Sequence, residues 1–103
     1  MQSLFSGQPG SEDARLQAAL EDIRRAMLEC LGEAAALAYP VVRLRVTYAN
    51  DLQDLWYLRG DVMEAVASVD GEALARRKLT QVSDMFRGHL PKGLVSRPSP
   101  LEN

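Results

Sequence analysis

Apolar residues recur along this chain at helical intervals. From residue 16 they fall at Leu16, Leu20, Ile23, Met27, Cys30, Ala34 and Leu37, in steps of four and three that predict an amphipathic helix over 11–38 with a heptad seam. Arg15, Asp22, Arg25 and Glu29 occupy its opposite face. Ser11 is a suitable N-cap, with Glu12 and Asp13 placed against the positive end of the helix dipole. Residues 1–10, with two glycines and a proline, read as a flexible leader.

Tyr39-Pro40 interrupts the first pattern, because proline disfavours helical geometry in the residue before it yet fits the first turn of a new helix. Residues 41–48, VVRLRVTY, alternate like a strand, and Asn50 with Gln53 offers a capping box for a helix starting afterwards. The chain lacks a convincing partner strand, and an isolated strand leaves its backbone unsatisfied. A continuous helix over 41–69 is therefore preferred, with Leu44, Tyr48, Leu52, Leu55, Val62, Val66 and Val69 on one face. Its weak point is that Val42 and Val46 fall on the other side.

Asp70-Gly71 ends that helix, and Asp70 is a candidate cap for a third over 71–87, with Ala75, Leu79, Val82 and Phe86 inward and Gly88 closing it. The last fifteen residues hold three prolines and read as an extended tail over 89–103. In that tail RPSPL, residues 97–101, has the composition of a polyproline II peptide; alternatively Leu90, Leu94, Val95 and Leu101 pin the tail across the bundle. The fold class is all-α: a small three-helix bundle, two long antiparallel helices plus a shorter third, with an extended proline-containing arm. The short third helix leaves apolar surface on the long pair uncovered.

The run NDLQDLWYLRGDVMEAV, residues 50–66, separates on a helical wheel into two faces. Asn50, Asp54, Tyr57, Asp61, Glu64 and Ser68 form a polar one; Leu55, Val62 and Val66 centre the apolar one, with Trp56 and Met63 on one shoulder and Leu58 on the other. Trp56 reads as packing between helices, or as an interface anchor. Gly60, one turn beyond it, costs about 1 kcal/mol in a helix relative to alanine, so close helix approach or a groove should offset it. Asp51 and Arg59 interrupt the apolar stripe about 12 Å apart along the axis, which predicts that each meets a group on another helix. Trp56, Arg59, Gly60, Asp51 and Met63 are the candidate contacts for a partner or ligand.

Composition narrows the chemistry. At 103 residues, with 47% hydrophobic and 25% charged, the chain suits one globular domain. Net charge is −2 overall but +3 over residues 71–103. Arg76, Arg77, Lys78 and Arg87 form a candidate anion contact, although a solvated helix face explains them as well and the balance argues against nucleic acid as partner. Lone Cys30 excludes an intrachain disulfide and a cysteine metal cluster; with lone His89 it makes a weak catalytic pair. No phosphate loop, dinucleotide fingerprint or zinc-ligand spacing occurs, so no cofactor or metal is expected. The absence of a secretory signal or long apolar run implies a cytoplasmic protein with no membrane association. Ten arginines against two lysines, and abundant alanine, hint at a bacterial source. Together these features favour a non-enzymatic protein-interaction module, self-associating or bound to another protein. A nucleic-acid or nucleotide-binding regulator and a small-molecule binder near Trp56 are the alternatives.

Overall fold

In a computed structural model, residues 7–90 are described, with side chains from residue 12 onward. Four helices follow one another: α1 Gly7–Ala38, α2 Pro40–Thr47, α3 Leu52–Asp70 and α4 Glu72–Met85. No strand occurs among the described residues. The all-helical expectation therefore holds, but the three-helix count does not, because the segment expected as one helix over 41–69 is two.

The break falls at residues 48–51 and has a local cause. Asp51 adopts an extended backbone (φ −153°, ψ 177°), and its carboxylate accepts the Asp54 N–H at 2.9 Å; the Asp54 carboxylate accepts the Asn50 N–H at 3.0 Å. These two bonds satisfy donors that a new helix would leave orphaned, so the chain restarts there instead of continuing. Splitting the helix also frees α2 to rotate. Val46 is fully buried and Val42 half-buried, while Leu44 and Tyr48, expected inward, face out. Val69, assigned to the same apolar face, is also exposed.

α1 begins at Gly7 instead of near Ser11, so residues 7–10 of the expected leader are helical and Ser11 lies inside the helix. Residues 1–6 lie outside the described residues. The heptad seam holds through Leu20, Ile23 and Met27, then moves to Leu31 and Ala35; Cys30 is half-buried, and Ala34 and Leu37 are exposed. A straight α-helix drifts about 20° per heptad against a 3.5-residue repeat, which carries the inward face forward one residue after Met27. At Gly32 the backbone leaves helical space (φ 66°, ψ −177°).

α3 ends at Gly71 (φ 95°), whose positive φ suits glycine, and α4 starts directly after it. Gly71, not Asp70, stands at the α4 N-cap. Ala75, Leu79, Val82 and Phe86 point inward as the spacing predicts, and Gly88 (φ 82°) follows in the turn after the helix. The extended arm expected over 89–103 lies outside the described residues from position 91.

α3 is central: it packs against α1, α2 and α4, and α1 also touches α2 and α4. Ile23, Met27, Leu55, Val62, Val66, Leu79 and Phe86 fill the space between them. Each such side chain contributes roughly 1.5–3 kcal/mol by leaving water. The molecule measures 53 × 29 × 17 Å, and its radius of gyration of 15.3 Å exceeds the roughly 13 Å of a compact 100-residue domain. A body only 17 Å thick leaves much helix surface unshared.

Candidate functional site

That surface concentrates around α2. Among the exposed large apolar side chains are Leu37, Tyr39, Val41, Leu44, Tyr48 and Tyr57, with Tyr48 at 74% and Tyr57 at 60% of full exposure. Val41, Leu44 and Tyr48 follow one another at i, i+3 and i+7 and make one wall of a groove; Asp54, Tyr57, Leu58 and Asp61, at i, i+3, i+4 and i+7 of α3, make the other. The groove has a volume of about 610 Å³. Arg45 and Asp61 bridge it at 3.7 Å.

Arg24 of α1 fixes the end of α2 that shapes this groove. Its Nη1 donates to the carbonyls of Val46 (2.9 Å), Thr47 (2.8 Å) and Ala49 (3.0 Å), so a cation caps the α2 C-terminus from another helix. Glu21 holds the same guanidinium, accepting from Nε at 3.1 Å and Nη2 at 3.2 Å. That hydrogen bond, with the Arg24 charge, holds the Glu21 carboxyl below the usual range despite some opposing desolvation. Sequence reasoning missed Arg24, because one turn of α1 shows no sign of which carbonyls it will meet.

The residues singled out in the sequence lie elsewhere. Trp56 is buried, its ring edge-on to Phe86 at 5.1 Å and 75°. Arg59 is only 2% exposed, with its guanidinium carbon 3.3 Å from the Trp56 ring centroid; Nε donates to the Trp56 carbonyl (2.9 Å) and Nη1 to Ser83 Oγ (2.7 Å). Arg59 thus meets α4, as expected of it. Asp51 does not reach another helix; it caps its own. Gly60 and Met63 are half-buried in α3, Met63 against the core. This cluster joins α3 to α4, and neither Trp56 nor Arg59 lines the groove.

The basic residues of α4 are largely matched by nearby acids. Arg76 pairs with Glu72 at 3.2 Å, Lys78 with Asp70 at 3.8 Å and Arg87 with Asp84 at 3.3 Å; Arg77 is exposed. Burial pushes the Cys30 thiol up, only partly offset by the Lys78 charge, which is the wrong direction for a nucleophile. Among the described residues no group of three His, Cys, Asp or Glu is placed to hold a metal ion, and no helix is long and apolar enough to cross a membrane.

A second hollow of about 370 Å³ opens where α1 meets the start of α3, lined by Leu16, Leu20, Asn50, Gln53, His89 and Leu90 among others. It brings the last described residues of the chain beside the α2–α3 turn. Comparison with known proteins adds no relative: no family, curated protein or solved structure matches this chain.

Proposed function

We propose that the protein is a non-enzymatic interaction module of the cytoplasm whose docking surface is the groove between α2 and α3. The observation that carries this reading is the outward stripe Val41, Leu44 and Tyr48 facing Tyr57, large side chains left in water along a groove whose floor includes the half-buried Leu58. Contiguous apolar surface of this kind is characteristic of protein contacts, and tyrosine is favoured there because it couples large area with few rotatable bonds. Two lining stripes at helical spacing, with charges at the rim, supply both contact area and orientation. The ion pairs along α4 weaken the nucleic-acid alternative, and the packing of Trp56 into the core weakens the small-molecule one.

Affinity capture with quantitative mass spectrometry tests the proposal, comparing the native chain with Leu44→Glu and Tyr48→Glu. Both sites are exposed, so circular dichroism should be unchanged while specifically captured protein falls at least tenfold. An identical captured set from all three chains would sink the proposal.

A further inference from the structure

Resting on that reading, we infer that the groove is the seat of the chain's own C-terminal segment, residues 94–101, which docks in polyproline II form and must be displaced by any other partner.

Three observations converge on this occupant. The first is reach. His89 and Leu90 line the same hollow as Asn50, Asp51, Leu52 and Gln53, and the next residues of that turn, Ala49 and Asp54, line the groove. From Leu90 to Arg97 is seven residues, roughly 22 Å of extended chain at about 3.1 Å each. Passing from the Gln53 end of α3 to Tyr57 needs only four residues of helix, about 6 Å.

The second is pattern. A polyproline II helix repeats every three residues, so Val95, Pro98 and Leu101 share one edge, Leu94, Arg97 and Pro100 a second, and Ser96, Ser99 and Glu102 the third. Two edges are apolar apart from Arg97, and the third is wholly polar. Such a segment has a face to bury and a face for water. The span from Arg97 to Leu101, about 12 Å, matches the roughly 10 Å from Asp54 to Asp61 along α3.

The third is chemical complementarity. Proline-rich peptides dock on aromatic-lined grooves, and Tyr48 and Tyr57 stand on the two walls. Entering from the Asn50–Gln53 turn, the segment meets Asp54 first, where Arg97 gains a carboxylate. Pro98 and Pro100 then face the tyrosines, and Leu101 comes to Leu44 and Val41. Arg97 is the one charged residue of segment 94–101, and Asp54 on the groove wall carries the opposite charge.

The test is paramagnetic relaxation in the isotope-labelled full chain, with a nitroxide on Asn103→Cys in a Cys30→Ser background. Docking in cis predicts strong broadening of the Leu44, Tyr48 and Tyr57 amides, unchanged on tenfold dilution and lost in Arg97→Glu and in the double variant Pro98→Ala/Pro100→Ala. Without any nitroxide, the native chain compared with Arg97→Glu should show amide shift changes confined to the groove, which guards against a fold disturbed at residue 30. Broadening that vanishes on dilution would give the groove to a second copy and overturn the proposal, as would no broadening at all. Loss of capture by Tyr48→Glu alongside absent broadening would defeat this inference alone; unchanged capture would defeat the docking surface itself.

Discussion

Arg24 shows how much one side chain can decide. Half-buried between α1 and α2, it binds the carbonyls of Val46, Thr47 and Ala49 at and just beyond the end of α2. Charge-assisted hydrogen bonds to buried carbonyls contribute about 1.5–3 kcal/mol, so Arg24→Ala should cost about 2 kcal/mol in urea denaturation. The Glu21 carboxyl that holds it has a lowered pKa in the folded state. Its contribution is therefore present above the unfolded value of about 4.3 and is lost as pH falls through the lower folded value. Stability of the native chain should decline below about pH 4.5 more than that of Glu21→Gln, a difference acid titration followed by circular dichroism would expose. Arg59 presents the opposite case, a cation taken out of water and held by Trp56 and Ser83. Arg59→Ala removes the stem that packs on the indole and leaves Ser83 without that donor, and should cost about 2–4 kcal/mol. Cys30, with its thiol raised by burial, should alkylate slowly at pH 7 and speed up only above the ordinary thiol range near about 8.5.

At the scale of elements, two of the interruptions in the helical pattern have different origins. The one at residues 48–51 is written in side chains: Asp51 and Asp54 close a reciprocal cap, and Asp51→Ala should lose about 1 kcal/mol in thermal denaturation. The one at Gly32 is written in backbone freedom, since φ 66° with ψ −177° is a region only glycine occupies readily. A Cβ there meets nothing within 4 Å, so Gly32→Ala should cost about 1–3 kcal/mol through the dihedrals alone. The expected capping box of Asn50 with Gln53 falls one residue short of the cap that forms, Asp51 with Asp54, and a single wheel drawn through this segment puts Leu44 and Tyr48 in the core. The alternation of Val42, Leu44, Val46 and Tyr48 does not say which pair turns inward, because an eight-residue helix takes its rotation from its neighbours. Arg24 on α1 and the burial of Val46 supply that rotation.

For the whole molecule, thinness is the governing property. A slab 17 Å across cannot bury both faces of every helix, and among the described residues most of the large apolar side chains it leaves exposed lie beside α2. Electrostatics point away from polyanions at this scale too, with a net charge of −2 and acids beside Arg76, Lys78 and Arg87. Duplex DNA at low salt should leave the protein's electrophoretic mobility unchanged; a complex that weakens steeply with added salt would restore the basic cluster as a binding site. The amino-acid sequence by itself determined the helical class, the inward face of α4 and that of α3 apart from Val69, and the punctuation at Pro40 and Gly71. Those features rest on periodicity and on local backbone chemistry, which a linear chain carries in full. Only the tertiary structure decided the rotation of α2, the drift of the α1 seam onto Leu31 and Ala35, the capture of three carbonyls by Arg24 and the groove between Tyr48 and Tyr57. These depend on which helix lies against which, and distances between residues far apart in sequence exist only once the core has closed.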